Sequence, residues 1–163
     1  MADVQTIRPG RGADAAALAE LGRAVVPATY GSISTAEAAR TLEAWWSESA
    51  LAESLDRIPH WVAEDGNGRL VGVGNLGSRD DRQVMWKLYV HPDVQGTGLG
   101  RALLDRVIDE NGSEPLWLSY VDGNQQAAGF YAAHGFVEQH RAPDPPYPDQ
   151  VWMRRDPPVR TAQ

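Results

Sequence analysis

Cysteine is absent from the chain, and lysine occurs once, as Lys87 among fifteen basic residues. Without cysteine the chain has no disulfide framework, no thiolate ligand for a metal and no cysteine nucleophile. Any group transfer must therefore proceed without a thioester on the enzyme. Three histidines, His60, His134 and His140, lack the spacing of metal ligands, and we predict no metal site.

Long apolar runs and an excess of basic residues are also lacking. No run approaches the roughly 18 to 20 apolar residues that a membrane span requires, and no basic stretch followed by an apolar segment opens the chain. We therefore expect a cytoplasmic protein that does not bind membranes. The formal net charge of -7 argues against a nucleic-acid partner, because such a partner requires clustered cations. The acidity either favours a cationic small acceptor or serves only solubility.

What is present is the composition of one globular domain, with 42% hydrophobic and 23% charged residues over 163 positions. Apolar periodicity and turn signals predict the order strand, two helices, three strands, helix, strand, helix and two strands. The predicted strands cover residues 4–8, 61–64, 70–76, 84–90, 116–121, 136–140 and 151–154. The predicted helices run from Asp14 to a stop at Pro27, from Ser34 through Leu55, from Gly98 to Asn111 and over residues 124–134, with a loose tail from Pro157.

A glycine loop lies between a predicted strand and a predicted helix. It reads Gln95, Gly96, Thr97, Gly98, Leu99, Gly100 and Arg101. Glycines allow a backbone to pass close to an anion, and a helix start directs unpaired N–H groups and a positive dipole end at that anion. The loop is therefore predicted to cradle a pyrophosphate, with a plain glycine-rich turn as the alternative.

Two other kinds of phosphate-binding loop do not fit this sequence. A P-loop requires Gly-Lys followed by Ser or Thr, whereas Gly100 is followed by Arg101 and Ala102. A dinucleotide fingerprint requires two residues between its second and third glycines, and only Leu99 separates Gly98 from Gly100. ATP on a P-loop is therefore excluded, and NAD is disfavoured.

The loop resembles the Gln-x-x-Gly-x-Gly signature of the GNAT acetyltransferase family, here Gln95, Gly98 and Gly100. A second half-signature follows, in which Asn124 precedes Tyr131 by seven residues and a Gly-Phe pair comes next. The resemblance covers about residues 4–155. It implies the α/β GNAT fold, with a mixed central sheet of about seven strands and helices on both faces. It also implies a single acetyltransferase domain over residues 1–163, which moves acetyl from acetyl-CoA directly to a primary amine.

The same resemblance implies roles for individual residues. The loop residues from Gln95 to Arg101 would bind the CoA pyrophosphate through backbone N–H groups. The backbone of Leu88, Tyr89 and Val90 would pair with the pantetheine arm and polarise the acetyl carbonyl. Asn124 would contact the cofactor arm, with a simple helix N-cap as the alternative. Tyr131 would be the acid that reprotonates the CoA thiolate, with a packing aromatic as the alternative.

The acceptor is expected to be a small-molecule primary amine. A protein N-terminus or lysine as acceptor, a non-catalytic CoA-binding module and a homodimer stay open as alternatives. Residues 83–86 and 116–120, where relatives place a general base, contain no acid. Candidates elsewhere are Glu64, Asp122 and His91, and solvent is a further route. Six aromatic side chains could line an acceptor cavity or simply fill the core: Tyr30, Trp45, Trp46, Trp86, Trp117 and Trp152.

Overall fold

The computed structural model describes residues 5–158, so that Val4 of the first predicted strand and most of the predicted loose tail lie outside the described residues. It confirms the α/β class, with five α-helices and nine strands within this range. The helices are Ala15–Tyr30 (α1), Thr35–Trp45 (α2), Glu48–Arg57 (α3), Leu99–Asn111 (α4) and Gln125–Ala133 (α5). The strands are Thr6–Pro9 (β1), His60–Glu64 (β2), Leu70–Asn75 (β3), Gly77–Arg79 (β4), Arg82–Val84 (β5), Leu88–Val90 (β6), Leu116–Val121 (β7), Val137–Asp144 (β8) and Tyr147–Arg155 (β9).

The strands form two sheets, where a single central sheet of about seven strands was predicted. The first sheet has the order β1-β2-β3-β6, and its neighbours are antiparallel. The second has the order β4-β5-β7-β9-β8, in which β5 and β7 are parallel and the other neighbours are antiparallel. The predicted three-strand meander corresponds to β2-β3-β6.

A short hairpin accounts for the additional strands. The predicted strand over residues 84–90 is divided into β5 and β6, because residues 85–87 leave the ladder. The polar stretch before it, expected as a plain connection, forms the β4–β5 hairpin. This hairpin turns at Asp80 and Asp81, both of which have positive φ (51° and 63°). Aspartate tolerates this conformation better than most residues, but without glycine the turn has a weak sequence signal.

The end of α1 differs from the prediction. The helix continues through Pro27 to Tyr30, so the predicted stop at Pro27 was wrong. Proline removes a single intrahelical donor, and here it does so only in the last turn. Thr29 Oγ1 meanwhile donates a hydrogen bond to the Val25 carbonyl at 2.7 Å. One additional helical turn therefore brings Tyr30 into the interior.

The predicted second helix is in fact two helices, α2 and α3. Ser47 begins α3 as its N-cap, accepting a hydrogen bond from the Ala50 N–H at 3.2 Å. Trp46, at the break, is 3% exposed and packs on Gly22 of α1, where any β-carbon would overlap the indole. Trp45, the preceding residue, is 63% exposed.

Helices cover both faces of the first sheet, as predicted. One face packs against α1, with α2 and α3 beside it, and the other packs against α4. Leu118 of β7 and Met153 of β9 join α5 in the same core as α4. Within residues 5–158, no helix combines the length and apolar character needed to cross a membrane.

The two sheets separate between β6 and β7. Val84 of β5 pairs with Trp117 of β7, and the Met85 N–H still donates to the Trp117 carbonyl at 2.9 Å. The chain then turns away and enters β6, which pairs with β3 on its other side. The strands β6 and β7 therefore diverge, and an opening is left between them.

Candidate active site

A cavity of about 470 Å³ lies in the opening between β6 and β7. Its wall is built from the end of α1, residues 85–90, the glycine loop, the second half of β7 and α5. Ten of the predicted site residues line this cavity: Leu88, Tyr89, Val90, Gln95, Gly96, Gly98, Gly100, Arg101, Asn124 and Tyr131. The fold thus gathers the strand, the loop and the helix of both signatures around one space.

The glycine loop enters α4 through two left-handed residues, Gly96 (φ +80°) and Gly98 (φ +86°). A β-carbon on either residue would meet nothing within 4 Å, so the backbone borders open space. Gly98 is the N-cap of α4, and the first N–H groups of a helix have no intrahelical partner. The loop therefore offers backbone donors and the positive end of the helix dipole, which is what an anion site requires.

Two side chains of the loop face away from the cavity. Thr97 Oγ1 donates to the Val94 carbonyl at 2.6 Å, and Leu99 is 4% exposed within the core. Only the backbone of these two residues is available for their predicted role. Among the cavity-lining residues of the described chain, Arg101 is the single side chain with a formal positive charge.

The backbone of β6 has one edge in the sheet and one edge on the cavity. The His91 N–H donates one hydrogen bond to β3, and the Lys87 carbonyl accepts another from β3. These two residues lie two positions after and two positions before Tyr89. Because ladder bonds alternate along an antiparallel strand, the N–H and C=O of Tyr89 face β3. Those of Leu88 and Val90 face the opening. The Val90 carbonyl accepts a hydrogen bond from Gln95 Nε2 at 3.5 Å there, and the two N–H groups can pair with a ligand.

Helix α5 contributes a polar side chain and a phenol. Asn124 Oδ1 accepts a hydrogen bond from the Ala127 N–H at 3.1 Å, so Asn124 is the helix N-cap, and it also lines the cavity. Tyr131 is 9% exposed and packs edge-on against Phe130 and Phe136. Burial raises the pKa of Tyr131 well above its usual value, so the phenol stays protonated at neutral pH. Tyr131 therefore holds a proton that it can donate.

Two further phenols meet at the cavity wall. The hydroxyls of Tyr30 and Tyr89 lie 2.6 Å apart, which ties the end of α1 to β6. Burial raises the pKa of both phenols, so both are neutral at physiological pH. Trp46 packs edge-on against Tyr89, with ring centroids 5.2 Å apart, and this contact restricts the position of the Tyr89 ring.

Carboxylates are absent from the cavity-lining residues of the described chain. Of the three candidate bases, Glu64 accepts a hydrogen bond from Arg8 at 2.7 Å and Asp122 pairs with Arg141 at 3.1 Å. The side chain of His91 caps the short turn after β6. None of the three candidates is part of the cavity wall between residues 5 and 158.

The six aromatic residues divide between the cavity and the rest of the protein. Tyr30 and Trp86 line the cavity. Trp46 belongs to the core beside α1. Trp117 and Trp152 form a separate cluster with Val84 on the second sheet, and Trp45 is exposed outside the cavity wall.

The cavity wall also includes residues that the sequence did not reveal. Ala28 and Thr29 were missed because Pro27 was taken as the end of their helix. Phe130 could have been found from Ala127, since residues three apart on a helix share a face. No sequence signal identified three others, one directly after β5 and two within β7: Met85, Ser119 and Tyr120.

Comparison with known proteins agrees with this geometry. The acetyltransferase (GNAT) domain family matches residues 56–138. The chain is 34% identical over 148 residues to the L-amino acid N-acyltransferase MnaT of Escherichia coli K12, covering 85% of this chain and 83% of that protein. It is 33% identical over 97 residues to the ribosomal protein bS18-alanine N-acetyltransferase of the same bacterium, covering 57% of this chain and 65% of that protein.

A solved structure resembles the whole described fold. The PaiA N-acetyltransferase of Thermoplasma acidophilum, in complex with coenzyme A, matches with a TM-score of 0.79 over 94% of this chain and 99% of that chain. The sequence identity is 20%, so this likeness concerns the fold.

Proposed function

The chain belongs to the GNAT acetyltransferase family, and we propose that this acetyl-CoA-dependent N-acetyltransferase acts on the primary amine of a small molecule. The observation that supports this acceptor is the cavity between β6 and β7. Its volume of about 470 Å³ is that of a small-molecule site, and it brings the glycine loop and Tyr131 to one space. The relative that acts on L-amino acids is consistent with a small acceptor.

The glycine loop is proposed to bind the pyrophosphate of acetyl-CoA. Its bare backbone at Gly96 and Gly98 permits close approach, and the first N–H groups of α4 supply donors. The guanidinium of Arg101 adds a positive charge beside them. The loop contains no acidic side chain that would repel the phosphates.

The acetyl group is proposed to lie along the open edge of β6. The N–H groups of Leu88 and Val90 face this edge and can hydrogen-bond the pantetheine arm or the thioester oxygen. A donor aimed at that oxygen stabilises the negative charge that develops as the carbonyl carbon becomes tetrahedral. The Oδ1 of Asn124 is engaged in capping α5, so its amide N–H₂ is the group that remains for the cofactor arm.

The reaction is proposed to be a direct transfer. The amine nitrogen attacks the thioester carbonyl carbon, the C–N bond forms, and the C–S bond of the tetrahedral intermediate breaks. Tyr131 gives its proton to the departing thiolate, and solvent restores the phenol. The second proton of the attacking nitrogen leaves to solvent, so the products are the N-acetyl amine and CoA. With no cysteine in the chain, no acyl-cysteine enzyme can intervene.

The absence of a carboxylate from the described cavity wall determines which form of the amine reacts. No side chain there can accept a proton from an ammonium group, because the four phenols are neutral and Arg101 is permanently charged. We propose that the amine loses its proton to solvent before attack. Catalysis then depends on the neutral fraction of the acceptor.

A protein N-terminus is the second candidate acceptor. It is favoured by the likeness to the enzyme that acetylates the alanine of ribosomal protein bS18. The two candidates differ in what must fit the cavity, since a peptide would extend out of it.

A turnover assay with acetyl-CoA distinguishes these functions. CoA release is measured with a panel of small primary amines and with peptides that begin with Ala or Ser, and the acetylated product is identified by mass spectrometry. We expect release with one or more small amines above the rate of buffer hydrolysis. Release with peptides alone would assign the second function, and release with neither would reject both.

A further inference from the structure

The cavity has two ends that differ in charge. Arg101 and the glycine loop lie after β6, whereas Met85 and Trp86 lie before it. The three residues of β6 separate these ends, at about 3.3 Å per strand residue. A cofactor anchored at the loop and extended along β6 therefore brings its acetyl end toward Trp86.

Trp86 is the most exposed aromatic side chain of the cavity wall. It is 41% exposed, although its indole is held on two sides. Trp152 packs edge-on at a centroid distance of 6.1 Å. The other contact is Gly77, where a β-carbon would come within 2.9 Å of the indole Cδ1 and Nε1. The ring is thus fixed in place, and Trp86 is among the residues that line the cavity.

Apart from Arg101, the described side chains that line the cavity carry no formal charge. Tyr30, Met85, Ser119 and Tyr120 are neutral at physiological pH. The neighbouring Lys87 is directed elsewhere, with its Nζ 5.2 Å from the centroid of the Trp46 ring in the core beside α1. An acceptor entering this end meets aromatic surface and hydroxyl groups, and among the described lining residues here no charged side chain is available to pair a second charge.

From this arrangement we infer that Trp86 determines acceptor specificity, and that the acceptor is a primary amine bearing an uncharged apolar or aromatic group. This inference rests on the proposed small-molecule function and narrows its substrate class. The indole buries the apolar group of the acceptor, and this binding is favourable because it removes apolar surface from water. A carboxylate or a second ammonium group would lose hydration there without gaining a partner.

Four matched amines test the substrate class. Phenethylamine carries an aromatic ring, ethylamine lacks it, phenylalanine adds a carboxylate and putrescine adds a second amine. At equal concentrations of neutral amine, we expect kcat/KM for phenethylamine to exceed that of each other amine by about tenfold or more. A higher value for phenylalanine or putrescine would overturn the inference and leave the small-molecule function intact. If no amine is acetylated, both the function and the inference fail.

Two variants test the residue. Trp86→Ala should lower kcat/KM for phenethylamine about tenfold through KM, change that for ethylamine less than about twofold, and leave KM for acetyl-CoA unchanged. Gly77→Ala presses on the indole from outside the cavity and should act in the same direction. Trp45→Ala removes a tryptophan that is 63% exposed and lies outside the cavity wall, and should change nothing.

A readout without turnover completes the test. Calorimetry of phenethylamine with the CoA-bound enzyme should show binding that weakens about tenfold in Trp86→Ala. An equal loss for ethylamine and phenethylamine in kinetics, or unchanged affinity in calorimetry, would overturn the specificity role. Thermal melting of both variants establishes that any loss comes from folded protein.

Discussion

At the glycine-loop end of the cavity the proposed ligand contacts are backbone N–H groups and one guanidinium, whereas at the Trp86 end they are neutral side chains. The loop end is fixed by two positive-φ glycines and a helix N-terminus. The Trp86 end is assembled from α1, β7 and the segment before β6. A backbone site tolerates many changes around its glycines, while a side-chain site changes its specificity with each substitution. One fold can therefore keep its cofactor and exchange its acceptor.

The largest expected effect concerns Tyr131, which lies at the wall between the two ends. Tyr131→Phe keeps the ring and its packing but removes the proton donor, so kcat and kcat/KM should fall together by roughly 10- to 100-fold. The low end of the usual range for acid catalysis is expected, because a thiolate is a good leaving group. Steady-state kinetics and thermal melting check this. An unchanged kcat in folded protein would leave Tyr131 as a packing residue.

A smaller effect is expected for the loop itself. Gly98→Val places a branched side chain at φ +86° beside the proposed phosphate site, so CoA affinity should fall by about tenfold or more. Gly112→Val is the matched control, because Gly112 also has positive φ (+72°) but ends the same helix away from the cavity. Both variants should lose stability, and only Gly98→Val should lose affinity in calorimetry. If the two variants bound CoA with equal affinity, Gly98 would have no more part in cofactor binding than the glycine of an ordinary turn.

The smallest effect on activity is expected for Lys87, which borders the uncharged end. Burial lowers the pKa of Lys87 from 10.5 to about 8, so between these values the folded state binds fewer protons than the unfolded state. The free energy of unfolding therefore falls as the pH drops through this window. At pH 7 the full cost of burying the charged ammonium group of Lys87 is present.

Replacing this charge should stabilise the protein. We expect Lys87→Met to raise the free energy of unfolding at pH 7 by about 1 to 3 kcal/mol, and by less at pH 10. Urea denaturation at the two pH values measures this difference. The KM for the amine should stay within about twofold of wild type. A large rise in KM would place Lys87 in the acceptor site and break the contrast between the two ends.

The same contrast explains how much of the molecule was predictable. The α/β fold, the helix after Gly98 and the cap at Asn124 each follow from local spacing and backbone preference, and the structure shows them. The extension of α1 past Pro27 was missed because the Thr29 hydrogen bond and tertiary packing outweigh a local helix breaker.

The division into two sheets was also missed. It depends on Asp80 and Asp81 turning a hairpin without glycine, and on the chain leaving β7 after Met85. Whether Trp86 lines the cavity depends on these two events, whereas the exposure of Trp45 follows from its place at the end of α2. The aromatic residues could therefore not be sorted from the sequence. The acceptor end depends on contacts between residues far apart in the sequence, whereas the cofactor end depends on short sequence motifs.

The pH dependence of kcat/KM tests most directly whether the cavity accepts an already neutral amine. The measurement compares phenethylamine with a fluorinated analogue of similar size and lower amine pKa. Below the acceptor pKa the value should rise about tenfold per pH unit, and the inflection should move with the acceptor. The raised pKa of Tyr131 keeps its proton in place, so this phenol causes no decline below about pH 10. An inflection at the same pH for both amines would reveal a general base in the enzyme and contradict the account.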